Sequence, residues 1–174
     1  TSEGEASSVV VPNGAAAGIV LPGITGAMKN GRSDYIKSEA FRISSRIFAD
    51  ATREGGKPLN ASFVADACEA CKAMLVISEE SVGDKGKAAG LKTKRIKDVL
   101  LCVEKMIAYG KAQKVKRSFW DILTNGIAPG LTDVARAHQS GPVQGLCRKY
   151  LGEISDNSEK AEVEKSEAPK SAKK

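Results

Sequence analysis

Aromatic residues are scarce in this chain: four Phe, three Tyr and one Trp among 174 residues. A core with so few rings must rest on Ile, Leu, Val, Ala and Met, which suits packed helices better than a β-sandwich. Long apolar runs are missing too. No stretch approaches the roughly 18 residues that a bilayer crossing needs. Ala15 to Leu21 is too short, contains Gly18, ends at Pro22 and has no basic segment before it, so it reads neither as a membrane span nor as a secretory signal. Cysteine occurs four times, at Cys68, Cys71, Cys102 and Cys147. That is too few for a disulfide scaffold of this length, and their apolar neighbours indicate reduced, buried thiols and an intracellular, reducing compartment. The chain starts at Thr1 rather than Met, which points to processing, a polyprotein origin or trimming.

Catalytic constellations are also lacking. Histidine occurs only at His138, so any Ser–His or Cys–His nucleophile pair must use it. Cys147 is nine residues away and no orienting acid stands in an obvious position. Cys68-Glu-Ala-Cys71 has the spacing of redox and zinc motifs, but it lies inside a helical pattern instead of at the end of a strand. No second close pair of ligands completes a metal site. Gly86 to Thr93 superficially resembles a phosphate-binding loop. It has three residues between its glycines where four are required, and Leu91 separates Gly90 from Lys92. Glu79-Glu80 sits at a helix end, where paired carboxylates are solvated. The expectation is a protein that is not an enzyme and has no cofactor and no metal.

What is present is a globular composition, 41% apolar and 28% charged, too apolar for a disordered chain. Periodicity divides it into three parts. Residues 1–32, rich in Gly, Ala, Ser and Val with Pro12 and Pro22 as breakers, read as a flexible or extended apolar arm, either docked on its own domain or a neighbouring subunit or a simple disordered leader. Residues 33–154 read as a helical domain. Ser33 caps a helix over Asp34 to Arg53, stopped by Gly55-Gly56, with Ile36, Ala40, Ile43, Ile47 and Ala51 on its apolar face. Asn60 or Ser62 caps a second helix reaching about Glu79. There Phe63, Ala67, Ala70, Met74 and Ile77 form one row, and Val64, Cys68, Cys71 and Leu75 another. After a Gly/Lys-rich connection, Thr93 caps a third helix with Ile96, Val99, Leu100, Val103, Met106 and Ile107 inward, which Gly110 ends or bends. Val115 to Leu123 is helical, Asn125-Gly126 and Pro129-Gly130 are breaks, and short helices over Leu131 to His138 and Pro142 to Leu151 finish the domain, with Gly152 as a stop. Residues 155–174, almost devoid of large apolar side chains, read as a disordered charged tail. The fold class is all-α, a compact bundle of five to six helices.

The net charge of +6 is unevenly spread. Residues 85–117 hold eleven Lys/Arg against only Asp98 and Glu104, whereas residues 1–84 are net acidic. The basic residues form two clusters flanking the third helix: Lys85, Lys87, Lys92, Lys94, Arg95 and Lys97 before it, and Lys111, Lys114, Lys116 and Arg117 after it. Arg42, Arg46 and Arg53, which share a face of the first helix, are weaker candidates. A helix of about 15 residues holds the clusters roughly 20 Å apart, a distance spanning several phosphates. The Thr93 helix start adds backbone N–H donors. Tyr109, Phe119 and Trp120 are able to stack on unpaired bases, or serve as core anchors. These features are expected of a non-enzymatic nucleic-acid binder of low sequence specificity, single-stranded RNA slightly favoured over other nucleic acids. Self-association through the arm extends that reading to a nucleocapsid or coat-like packaging protein. The alternative is a structural subunit of a larger protein assembly, with arm and basic patch as protein contacts.

Overall fold

The strongest local signals in the chain set its second helix. Ser33, in an extended conformation, accepts a hydrogen bond from the Ile36 N–H and opens a helix over Asp34–Thr52. The chain leaves it through Gly55, whose φ of +76° favours glycine, and Gly56, where a Cβ would meet the Ala51 carbonyl. This computed structural model describes residues 15–75 and 87–166. They form seven α-helices and no strand, an all-α bundle: α1 (Ala15–Asn30), α2 (Asp34–Thr52), α3 (Ala61–Met74), α4 (Lys87–Ala112), α5 (Arg117–Ile122), α6 (Ala128–Ala137) and α7 (Gly141–Ser166).

The first part of the chain departs from the arm reading. Residues 15–30 are helical despite Pro22, and Leu21, Thr25 and Met28 are buried at spacings of four and three. Proline removes one backbone donor and disfavours a helix interior; burial of this face against α2 outweighs that cost. Met28 meets α2 directly, its sulfur accepting the Ser44 hydroxyl at 3.1 Å in the interior. The expected arm in residues 1–14 lies outside the described residues.

α3 follows its Asn60 cap, whose side chain accepts the Ser62 N–H at 2.8 Å. It buries both expected rows, Phe63, Ala67 and Ala70 beside Val64, Cys68, Cys71 and Leu75. The expected end of this helix near Glu79, with Ile77, lies outside the described residues. α2 buries Ala40, Ile47 and Ala51 as expected, but also Phe41 and Phe48, while Ile36 is exposed. The apolar stripe is therefore rotated toward the phenylalanines.

α4 begins at Lys87, so Thr93 stands inside the helix and caps nothing. Its end is not at Gly110. The Val115 N–H reaches back to the Gly110 carbonyl and the Lys114 N–H to Lys111, with Lys114 at φ 45°, a left-handed closure of the last turn. Gly110 serves packing: a Cβ there would lie 2.6 Å from the Phe119 ring and 2.8 Å from Trp120. A row of rings crosses the core from Phe63 through Phe48, Tyr109 and Phe119 to Trp120, with centroids 5.2 to 6.0 Å apart. It joins α3, α2, α4 and α5.

Asn125-Gly126 does not break the chain. A π-helical turn over Leu123–Ile127 carries α5 into α6, and buries Leu123 and Ile127. Pro129 occupies the first turn of α6, where its missing N–H costs nothing. Gly130 lets that turn approach Leu75, whose Cβ would be 2.7 Å from an added Cβ. Thr132 donates to the Ala128 carbonyl from within α6. α7 starts at Gly141 and runs past the expected stop at Gly152 to Ser166, because Val143, Cys147, Tyr150 and Ile154 extend one buried stripe across it. The first part of the expected tail is thus helix; residues 167–174 lie outside the described residues.

Two glycines give opposite expectations. Gly152 has no neighbour within 4 Å of an added Cβ, so Gly152→Ala raises stability by about 0.5–1 kcal/mol in urea unfolding. Gly110→Ala, which drives a methyl into two buried rings, lowers it by about 1–3 kcal/mol.

Candidate nucleic-acid interface

α4 gathers most of the basic residues onto one rod. Its inward side, Val99, Leu100, Cys102, Val103, Met106, Ile107 and Tyr109, is buried. The outward stripe that remains carries Lys94, Lys97, Leu101, Lys105 and Ala108, at spacings of three, four, four and three. Lys94 and Lys97 are exposed and Lys105 is half-buried. By the helical rise, Lys94 and Lys105 are about 16 Å apart along the axis.

The first expected cluster is divided. Lys85 lies outside the described residues, and Lys87 and Lys92 belong to the first turns of α4, where the backbone alone is described. Arg95 is half-buried, as is Asp98 one turn on, so Arg95 is not on the outward stripe. With Thr93 inside α4, the expected ring of backbone donors at that residue does not exist.

The second cluster is largely answered by acids. Lys111 pairs with Glu153 at 3.4 Å, and Arg117 with Glu162 at 2.7 Å and with Asp121 at 3.5 Å. Both glutamates come from α7, Glu162 from the segment expected to be a solvated tail. Lys114 and Lys116 are exposed at the turn between α4 and α5. On α2, Arg42 pairs with Glu39 at 2.7 Å and Arg53 with Asp50 at 3.2 Å, one turn apart on the surface, and Arg46 is exposed. Exposed pairs of this kind are worth well under about 1 kcal/mol and yield readily to a competing anion.

Lys105 was not among the expected contact residues. It sits between the two clusters in sequence, and only its register, eight residues after Lys97 and eleven after Lys94, puts it in line with them. Tyr109, Phe119 and Trp120 do not stack on any ligand: all three are buried in the ring row, and the Tyr109 hydroxyl accepts the Leu59 N–H at 2.9 Å.

The thiols are core groups. All four cysteines are free and buried. Burial pushes the Cys68 thiol up to about 12, with Cys102 and Glu69 adding to it. A hydrogen bond with Cys102, then burial, holds Cys71 well above the usual thiol range. Burial pushes Cys147 up to about 11. Among the described residues no group of three or more His, Cys, Asp or Glu is arranged to hold a metal ion. His138 ends α6; its Nδ1 accepts the Ser140 N–H at 3.0 Å, and desolvation lowers its pKa. No described helix is long and apolar enough to cross a membrane.

No protein-family model matches this chain, and neither a curated protein nor a solved structure with significant similarity to it was found.

Because only thiolates attack disulfide reagents, the folded protein at pH 8 is expected to leave a chromogenic disulfide reagent unreacted. Urea should release all four thiols. Prompt reaction of any cysteine in the native protein contradicts this placement.

Proposed function

We propose that this chain is a non-enzymatic nucleic-acid-binding protein that holds the phosphate backbone on the outward face of α4. The observation that carries the proposal is the stripe Lys94, Lys97 and Lys105. Of the two acids of the same helix, Asp98 is half-buried at the edge of the stripe, one turn after Lys94, and Glu104 is close enough to Tyr150 to raise its pKa. Lysines at this spacing neutralise successive phosphates and release their counterions, a source of affinity indifferent to base sequence. The answered second cluster contributes less, with Lys114 and Lys116 as its remaining contacts.

A packaging role, as in a nucleocapsid or coat, is the biological setting we propose. It requires copies of the chain to associate. The segment before α1, with Val9, Val10 and Val11, is the proposed contact between copies, since Leu21 and Met28 are already engaged by their own core.

Binding of labelled single-stranded RNA and duplex DNA across a salt series tests this reading. Five neutralised phosphates on a single strand predict a loss of roughly a hundredfold in affinity from about 50 to about 200 mM salt. Joint replacement of Lys94, Lys97 and Lys105 by Glu should abolish binding while circular dichroism stays unchanged. Absence of binding at low salt defeats the proposal and leaves the stripe to an acidic protein partner in a larger assembly. Light scattering of the same samples tests packaging, which predicts growth into large particles.

A further inference from the structure

Seven of the eight aromatic side chains are buried. The eighth, Tyr35, is 74% exposed in the first turn of α2. It shares a stripe with Arg42, Arg46 and Arg53, which follow at seven, eleven and eighteen residues and so return to nearly the same side of the helix. Lys29 and Arg32, just before it, are exposed as well.

This stripe and the lysine stripe of α4 belong to one surface. α2 packs along α4 more extensively than any other pair of helices. Phe48 meets Tyr109, and the Gln113 side chain donates to the Ala51 and Gly56 carbonyls at 2.8 and 3.0 Å. The C-terminal ends of both helices are therefore together, and the two run in the same direction. At about 100° per residue, the Tyr35 stripe lies about 140° round α2 from Phe48, following the winding of the chain. The stripe of Lys94, Lys97 and Lys105 is centred about 75° round α4 from Tyr109, against it. On parallel neighbours, opposite rotations away from the contact turn both stripes to the same side. The same alignment sets Tyr35, thirteen residues before Phe48, level with Ile96, between Lys94 and Lys97. It sets Arg42 and Arg46 on either side of the level of Lys105. Packed helix axes lie about 8–10 Å apart, so the two stripes share one face of the α2–α4 pair, the lysines along the crest of α4 and the Tyr35 stripe on the far shoulder of α2.

We infer that Tyr35 is a base-stacking residue and that the face shared by α2 and α4 takes single-stranded nucleic acid, with its phosphates on Lys94, Lys97, Lys105, Arg42 and Arg46. The inference rests on the nucleic-acid reading above and narrows its ligand. A duplex hides its base faces and gains nothing from an exposed ring, whereas an unpaired base stacks on one whatever its identity. The Arg42–Glu39 pair is exposed and weak enough for a phosphate to replace the carboxylate.

The test compares wild type, Tyr35→Ala and Tyr35→Phe in binding a fluorescent oligouridine and a DNA duplex of equal phosphate number. Tyr35→Ala should weaken oligouridine binding about tenfold with an unchanged salt slope, leave duplex binding alone, and be restored by Tyr35→Phe. The exposure of Tyr35 makes both variants fold, which thermal melting checks. Wild-type-like oligouridine binding by Tyr35→Ala, or equal losses on both ligands, overturns the stacking role while the phosphate reading stands. Wild type that binds neither ligand overturns both.

Discussion

The end of α4 is fastened to the end of α2, and the other helices are arranged around that joint. Two side chains make it. Tyr109 lies edge-on to Phe48 and accepts the Leu59 N–H, while Gln113 donates to the Ala51 and Gly56 carbonyls. These are among the acceptors that a helix end and a glycine turn leave without partners of their own. A buried polar group costs little when it is bonded and a good deal when it is not, so the two side chains set the turn between α2 and α3 at one position on α4. Phe63 and Phe119 then continue the ring row outward on either side of that joint.

The joint also shapes the charged surface. With α2 laid along one side of α4, and α7 reaching Lys111 through Glu153 and Glu104 through Tyr150 from another, the outward face of α4 is what the core leaves uncovered. α7 supplies acids at one end of that face only. Among the described residues the basic surface is therefore graded, without an ion pair at Lys94 and Lys97 and countered near Lys111 and Arg117. A polyanion on this face gains most toward the N-terminal half of α4.

How much of this was legible depended on whether a signal was local. α2 and α3 announced themselves because Ser33 and Asn60 cap them and Gly55-Gly56 ends the first. α1 did not, because Pro22 and a run of small residues oppose a helix locally, and only burial of Leu21, Thr25 and Met28 against α2 overrides them. The Asn125-Gly126 pair has turn chemistry, yet a π-helical turn absorbs it so that Leu123 and Ile127 both reach the core. Gly152 has the form of a stop, but Ile154 carries the buried stripe past it. At the site, Lys94 and Lys97 were visible as part of a charge run. Lys105 joins them only through helical register, since along the chain it stands apart from both charge clusters. The countering of Lys111 and Arg117 by Glu153 and Glu162 depends on how α7 packs, which no local pattern announces.

Lys114 places backbone and charge in opposition. Its φ of 45° closes the last turn of α4, a conformation that glycine adopts freely and that costs an L-residue roughly 1 kcal/mol. Relaxing that turn would sacrifice one of the exposed cations between α4 and α5, and keeping the cation leaves the turn under tension. This residue is a compromise between folding and surface potential. A drift toward glycine at this position would mark a version of the protein that has stopped needing the charge.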